Sequence, residues 1–204
     1  MPRLFIISGC NGSGKTTASY AVLPEMLSCS EFVNSDEFAK SLAPFSPEKA
    51  YVGASRYMLL KTRRLLERRS DFCIETTLAT RSLLKMIKDA QKMGYYVTIL
   101  YFWLNSPDLA VLRVRSRVAA GGHNIKEETI RRRYHVGLHY LFRDFMPLCN
   151  HWILYDNSSG ALSVVAESSE NGTIVRDPEL FGRIKSVNEE YEKDLKELSK
   201  KIDD

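Results

Sequence analysis

The sequence of 204 residues has few of the features that mark secreted, membrane-spanning or disordered proteins. It holds only 4 cysteines, 11 glycines and 7 prolines, and its apolar runs fall short of the roughly 18 residues that span a bilayer. The cysteines lie far apart without a C-x-x-C pair, so neither a disulfide framework nor a zinc site is indicated. We expect a soluble protein of the reducing cytoplasm, without a signal peptide.

The charge balance is also modest. Lys and Arg number 29 against 25 Asp and Glu, which gives a formal charge of +4. This excess tolerates an anionic ligand but is too small to indicate a nucleic-acid partner by itself. With 44% hydrophobic and 26% charged residues, the composition is that of a globular protein, and we predict a single domain over residues 1–204.

Strand-like and helix-like patterns alternate along the chain. Such alternation predicts an α/β fold, a three-layer sandwich with a parallel sheet covered by helices on both faces. Ligands are then expected beyond the carboxyl ends of the strands. The pattern around Asn171-Gly172 suggests an additional edge hairpin, and a last helix is predicted at about 178–202. The five predicted parallel strands lie at 4–7, 32–36, 72–75, 95–104 and 151–155.

The segment from Gly9 to Thr16, G-C-N-G-S-G-K-T, fits G-x-x-x-x-G-K-[ST] between a predicted buried strand and a helix. Backbone N–H groups of such a loop and the helix N-terminus form an anion site. Lys15 would reach the β- and γ-phosphates of ATP, and the Thr16 hydroxyl would ligate Mg²⁺. The motif predicts a P-loop NTPase fold; the alternative is a glycine turn that only joins strand to helix. The residues expected at the nucleotide are Gly9, Asn11, Gly12, Ser13, Gly14, Lys15, Thr16 and Thr17.

The long apolar strands do not end in the Asp that is usual in hydrolysing ATPases, so a small kinase is favoured. Asp36 closes the second predicted strand and is the candidate base for an acceptor hydroxyl, the alternative being a helix cap. Glu75 follows a buried strand at the same edge. It is expected to hold Mg²⁺ through water or to contact substrate, unless it is a buried Glu paired with an Arg or with backbone N–H groups. Thr77 is expected to hold a further polar group of the substrate.

Arginines cluster around a glycine break at 121–122, which suggests a helical lid at about 113–135. Lid arginines can neutralise the charge that spreads over a transferring phosphoryl group. Arg113 and Arg117 share one helical face. We expect Arg117 and Arg133 to contact ATP, Arg117 with a catalytic role, and place Arg131 third, with the rest solvated.

These motifs together resemble the zeta-toxin family of P-loop kinases: G-C-N-G-S-G-K-T-T, F-V-N-S-D-E, E-T-T, R-V-R-S-R-V-A-A-G-G-H-N-I and R-R-R-Y. The resemblance implies that Asp36 is the base and that Glu75 and Thr77 contact substrate. It further implies that Arg117 and one of Arg131 or Arg133 contact ATP phosphates. The best-known family members phosphorylate the 3′-hydroxyl of the amino sugar in UDP-N-acetylglucosamine and are inhibited by an antitoxin.

Three functions therefore remain open on sequence alone. The first is an ATP- and Mg²⁺-dependent kinase of a small hydroxylated metabolite, with a nucleotide sugar as leading acceptor and an antitoxin protein as partner. The second is a polynucleotide or nucleoside kinase, which requires oligonucleotide binding with a steep salt dependence. The third is a nucleotide-gated protein-binding module, which should survive Asp36→Asn. No membrane partner is expected, and nucleic acid is the less favoured substrate.

Overall fold

The computed structural model describes residues 1–22, 29–122 and 124–203. Strands and helices alternate along the chain up to a C-terminal hairpin and helix. The strands are β1 (Arg3–Ser8), β2 (Phe32–Val33), β3 (Phe72–Thr76), β4 (Tyr96–Trp103), β5 (His151–Asp156), β6 (Ser163–Ser169) and β7 (Gly172–Val175). The helices described are α1 (Lys15–Val22), α2 (Ser35–Leu42), α3 (Tyr51–Glu67), α4 (Leu83–Lys92), α5 (Pro107–Ala119), α6 (Glu127–Tyr140) and α7 (Pro178–Asp203), with a 3-10 turn at Pro47–Ala50 and a π-helical turn at Leu141–Phe145.

All strands belong to one sheet with the order β2-β3-β1-β4-β5-β6-β7. Strands β1 to β5 run parallel, and β1 lies between β3 and β4, with Ile6 opposite both Ile74 and Ile99. β6 and β7 form an antiparallel hairpin on β5. The predicted α/β fold with a mostly parallel sheet is confirmed, and the hairpin extends the five parallel strands to a 7-stranded sheet.

Helices cover both faces of this sheet. Successive residues of a strand point to opposite faces, so a strand buried on both sides carries apolar residues toward each layer of helices. Leu4 and Ile6 of β1 belong to the larger apolar cluster on one face. Phe5 and Ile7 belong to a second cluster on the other face. The central strand is therefore apolar on both faces from Leu4 to Ile7, and the glycine-rich loop follows directly at its carboxyl end.

The second strand is shorter than predicted. The sequence suggested a strand over 32–36 with Asp36 at its end, but β2 stops at Val33 and α2 begins at Ser35. The cause is Asn34, whose side chain accepts hydrogen bonds from the backbone N of Asp36 and of Glu37 and so caps the helix. Asp36 therefore lies in the first turn of a helix rather than at the end of a strand.

The predicted lid is packed into the protein. α6 contributes Ile130 and Tyr134 to one apolar cluster and Leu138 to another. At Gly137, α6 lies so close to the backbone of Thr77 that a Cβ added there would come within 2.7 Å of the Thr77 carbonyl oxygen. Between α5 and α6, the described residues 120–122 and 124–126 are not helical, and His123 lies outside the described residues.

The sequence also predicts two helix ends. Pro24 predicts that the helix after the glycine-rich loop ends nearby, at a position outside the described residues. The apolar spacing predicts another helix from Glu127 to Phe145, but the structure is α-helical only to Tyr140 and continues as the π-helical turn. In the part of the chain that the structure describes, no helix has both the length and the apolarity to cross a membrane.

Candidate active site

The glycine-rich loop joins β1 to α1 and wraps its backbone through conformations with positive φ, including 82° at Gly12 and 85° at Gly14. These values lie where only glycine is comfortable. Space is also restricted, because a Cβ on Gly12 would come within 2.7 Å of the Ala110 carbonyl oxygen. The loop therefore closes tightly on α5 and leads into the N-terminus of α1, the geometry of an anion site.

Lys15, the first residue of α1, is only 7% exposed. Its Nζ donates a 2.7 Å hydrogen bond to the Cys10 carbonyl oxygen inside the loop. Burial lowers the pKa of Lys15, and the nearby Glu75 and Asp36 carboxylates oppose this shift. A largely buried cation beside a ring of backbone amides is suited to the terminal phosphates of a nucleotide.

Glu75 near the end of β3 faces the same loop. Both of its carboxylate oxygens accept from the Thr16 hydroxyl, at 2.9 and 3.0 Å, and Oε2 also accepts from Asn34 Nδ2 at 2.9 Å. Burial raises the pKa of Glu75, while Lys15 and the Thr16 hydrogen bond lower it. The alternative of a Glu paired with an Arg or with backbone N–H groups does not match the structure, because the hydrogen-bond partners of Glu75 among the described residues are a side-chain hydroxyl and a side-chain amide.

The oxygens of Thr16 and Glu75 match the donor preference of Mg²⁺. Among the described residues, no group of three or more His, Cys, Asp or Glu side chains could hold a metal by itself. This agrees with the usual magnesium site of nucleotide enzymes, in which phosphates and water supply most ligands. The residues present thus fit a nucleotide-bound Mg²⁺ and not a closed protein metal site.

Asp36, in the first turn of α2, lines the same cleft. Within the described residues, no hydrogen bond is donated to its carboxylate, whereas its neighbour Glu37 pairs with Lys40 at 2.8 Å. Because Asn34 caps the helix, Asp36 does not have the capping role considered from the sequence. Its carboxylate remains available to accept a hydrogen bond from a ligand.

The cleft between these groups has a volume of about 840 Å³. Thr17 and Thr77 line it, together with the predicted loop residues except Gly9 and Ser13. Ser13 is fully buried, and Gly9 lies against the Phe102 carbonyl group, so both shape the loop from behind. The lining residues used below are Asn11, Gly12, Gly14, Lys15, Thr16, Asn34, Asp36, Lys40, Glu75, Thr77, Arg113, Arg117, Arg133 and Asn157.

Three arginines from α5 and α6 reach this cleft: Arg113, Arg117 and Arg133. Arg133 Nη1 donates to Asn11 Oδ1 of the glycine-rich loop at 2.9 Å. Burial lowers the pKa of Arg133, and the Asp36 carboxylate opposes the shift. Positive charge from α5 and α6 thus lies at the loop in addition to Lys15, without any large movement of the two helices.

Arg131, placed third from the sequence among the arginines expected at ATP, does not line the cleft in the structure. Its guanidinium pairs with Asp108 at 2.6 Å and with Glu127 at 2.8 Å on the outer surface. Residues 131 and 133 are two positions apart on a helix, which separates their directions by roughly 200°. Since Arg133 faces inward, Arg131 must face outward.

The sequence model of the zeta toxin family matches residues 1–144. The chain belongs to the zeta toxin family. Its fold is accordingly that of a P-loop kinase. An uncharacterised protein of Haemophilus influenzae is 29% identical over 126 residues, which cover 62% of this chain and 88% of that protein.

Solved structures share the fold at low sequence identity. A chain of the AvrRxo1-ORF1:AvrRxo1-ORF2 complex crystallised with sulphate ions superposes with a TM-score of 0.73 at 18% identity, covering 90% of this chain. The chain spans 63% of the length of that AvrRxo1 chain. A chain of the PezAT toxin–antitoxin system of Streptococcus pneumoniae has a TM-score of 0.61 at 19% identity, covering 97% of this chain and 87% of its own.

Sequence reasoning missed two residues that complete the site, one inside and one beyond the region matched by the zeta toxin model. Asn157 follows β5 and donates from Nδ2 to the Ser13 carbonyl oxygen at 2.8 Å. Arg113 was noted for its helical face but not selected, and it donates to the carbonyl oxygens of Asn157 and Ser158 at 2.8 and 3.0 Å. The usable signal was position, because polar residues that follow a parallel strand lie at the ligand edge.

Proposed function

We propose that the protein is an ATP- and Mg²⁺-dependent phosphotransferase that transfers the γ-phosphate of ATP to a hydroxyl of a small metabolite. The leading acceptor is a nucleotide sugar such as UDP-N-acetylglucosamine, at its 3′-hydroxyl. The observation that carries the proposal is the Asp36 carboxylate, which accepts no hydrogen bond from a described residue and lines the same cleft as the buried Lys15.

The donor side would bind ATP through the glycine-rich loop. Lys15 would contact the β- and γ-phosphates and Thr16 would ligate Mg²⁺, which neutralises phosphate charge when bound. Arg117 and Arg133, which line the same cleft, would contact the phosphates. Support for ATP also comes from a related fold, since the AvrRxo1-ORF1:-ORF2 complex has been crystallised with ATP, at a TM-score of 0.70 and 17% identity.

On the acceptor side, Asp36 would orient the attacking hydroxyl in line with the γ-phosphorus. The acceptor oxygen forms the new P–O bond as the bond to the leaving ADP oxygen breaks, and Asp36 takes the hydroxyl proton late in the step. Thr77 and the free lone pairs of Glu75 would hold neighbouring polar groups of the acceptor. A cleft of about 840 Å³ is large enough for a triphosphate together with part of a second ligand.

We further propose an antitoxin protein as a partner and the cytoplasm as the place of action. The partner is supported by membership of the zeta toxin family and by the likeness to a chain of the PezAT toxin–antitoxin system. All four cysteines are free, as in proteins of a reducing compartment.

The decisive experiment incubates the protein with Mg²⁺, γ-labelled ATP and separate panels of nucleotide sugars, nucleosides and short oligonucleotides. We expect label to move to a nucleotide sugar, and a Lys15→Ala sample prepared identically should transfer none, which excludes a contaminating kinase. Label on oligonucleotides, with binding that weakens steeply as salt rises, would favour the polynucleotide kinase instead. Tight ATP binding without transfer to any hydroxyl would contradict the enzymatic proposal.

A further inference from the structure

Asn34 connects the two sides of the cleft through a single side chain. It is only 6% exposed and lies between β2 and α2. Its Oδ1 accepts from the backbone N of Asp36 at 3.0 Å and of Glu37 at 3.1 Å. Its Nδ2 donates to Glu75 Oε2 at 2.9 Å. Both ends of the amide are therefore used, one on the helix that carries Asp36 and one on the carboxylate beside the glycine-rich loop.

The connection continues to the start of α1. Glu75 receives the Thr16 hydroxyl on both carboxylate oxygens, so a continuous series of hydrogen bonds runs from the first turn of α2 to the loop that would bind phosphate. We infer that Asn34 is a positioning residue for phosphoryl transfer, which sets the distance and direction of Asp36 relative to Thr16. This inference rests on the proposed function.

The choice of amino acid supports this role. A helix N-cap needs only an acceptor, and Ser or Asp caps about as well as Asn. Asp offers acceptors only, and the Ser hydroxyl is too short to accept from the helix and donate to Glu75 at once, whereas the amide carries its acceptor and its N–H donors on separate atoms. Asn34 thus does what a simple cap does and also donates to a half-buried carboxylate that would otherwise lose a donor. Transfer chemistry is sensitive to this kind of placement, because a shift of about 1 Å in a reacting group can cost roughly 100-fold in rate.

Two variants separate capping from positioning. Asn34→Ser keeps a cap but is too short to donate to Glu75, and Asn34→Asp keeps a cap but turns a carboxylate toward Glu75. We expect kcat to fall roughly 10-fold in Asn34→Ser, with the KM for ATP within about twofold, and roughly 100-fold in Asn34→Asp, with the KM for ATP in the presence of Mg²⁺ raised by up to about 10-fold, as is typical when a group that orients a site residue is removed. The unfolding temperature of Asn34→Ser should stay close to that of the wild type, whereas Asn34→Asp, in which two carboxylates face each other, should unfold at a somewhat lower temperature.

The matched control is Asp177→Ser, at a residue that does not line the cleft. Asp177 caps α7 by accepting from the backbone N of Leu180 at 2.9 Å, and Ser preserves this acceptor. This control exchanges one good N-cap for another without touching the cleft. We expect its kcat, its KM and its ATP affinity to match those of the wild type.

A second readout does not depend on an acceptor. Calorimetry with ATP in the presence of Mg²⁺ or of a chelator measures how much Mg²⁺ strengthens ATP binding. Because Thr16 is oriented through Glu75, Asn34→Asp should reduce this enhancement roughly 10-fold while leaving the chelator value unchanged. If the wild type transfers label to no acceptor, the proposed function fails, and this comparison still decides the role of Asn34.

The inference is overturned if both variants keep a wild-type kcat and a wild-type Mg²⁺ enhancement. It is equally overturned if ATP binding weakens to the same extent with and without Mg²⁺ alongside a lowered unfolding temperature, since Asn34 would then act on stability alone. Failure of both cap-preserving variants to fold would overturn it for the same reason.

Discussion

The two sides of the cleft are built in different ways. On the phosphate side, Lys15 is 7% exposed and Asn11 4% exposed, and each is held by the protein itself, through Cys10 and Arg133. On the acceptor side, the Asp36 carboxylate accepts no hydrogen bond from a described residue, and the Glu37–Lys40 pair next to it is well exposed. The phosphate side is therefore organised before a ligand arrives, whereas the acceptor side leaves hydrogen bonds for the ligand to make.

The largest effect should come from the acceptor side. Asp36→Asn keeps the size of the side chain but removes the base, so we expect transfer to fall roughly 100- to 10,000-fold with ATP affinity within about twofold. Label transfer and calorimetry measure the two quantities. Glu179→Gln is the matched control, because Glu179 also lies in the first turn of a helix, α7, away from the cleft. A parallel loss of ATP binding in Asp36→Asn would mean that the two sides are not separate.

Glu75→Gln should lower transfer by roughly 100-fold and, at the same time, stabilise the fold near neutral pH. Burial raises the pKa of Glu75 above the usual 4.5, so the folded protein binds this proton more strongly than the unfolded chain does. The stability that this preference provides is complete below the unfolded pKa and is lost as the pH rises through the folded one.

The check is the unfolding temperature of both proteins from pH 4 to pH 8. Glu75→Gln should unfold at a higher temperature than the wild type at pH 7, and the two should converge toward pH 4, where wild-type Glu75 is protonated. A variant that is less stable than the wild type at pH 7 would contradict the assigned cause.

The arginines of α6 test whether the part of the cleft that this helix lines belongs to the phosphate side. Arg133→Ala should lower kcat/KM for ATP by roughly 10- to 100-fold, as expected when a charged hydrogen bond is removed. Arg131→Ala on the same helix should change it by less than about twofold, because Arg131 pairs with Asp108 and Glu127 outside the cleft. Steady-state kinetics on both variants decide the point, and equal effects would refute the inward and outward assignment.

The smallest expected effect concerns the region beyond the part matched by the family model. Asn157→Ala removes one hydrogen bond to the Ser13 carbonyl oxygen, so we expect the KM for ATP to rise roughly 2- to 10-fold with little change in kcat. Asn171→Ala, in the turn between β6 and β7, supplies the control. An effect on kcat instead of KM would assign Asn157 to the transfer step.

Much of the phosphate side could be predicted because it is local in sequence. Gly12, Gly14, Lys15 and Thr16 lie within one short motif whose spacing fixes both the loop and the helix that follows. Alternation of strands and helices then placed Glu75 at the same edge. The parallel sheet was likewise readable from continuous apolar runs, as in β4.

The acceptor side was harder, because its parts are joined by single side-chain contacts. The early end of β2 depended on Asn34, although Asn followed three positions later by Glu37 is a known signal for a helix start. Whether Arg131 or Arg133 faces the cleft depends on the rotation of α6 about its axis, which the packing of Ile130 and Tyr134 sets. The role of Asn157 could be predicted only by knowing which carbonyl groups of the glycine-rich loop lack another hydrogen-bond donor.

The glycine in α6 that touches the Thr77 backbone makes the acceptor wall adjustable from outside. A methyl group introduced by Gly137→Ala would have to displace either the helix or the Thr77 carbonyl group, since its Cβ would come within 2.7 Å of that oxygen. In the proposed kinase, where Thr77 contacts the acceptor, this displacement would change the shape of the acceptor site while every residue proposed to contact ATP kept its identity. Acceptor preference would then depend on position 137, which does not itself line the cleft.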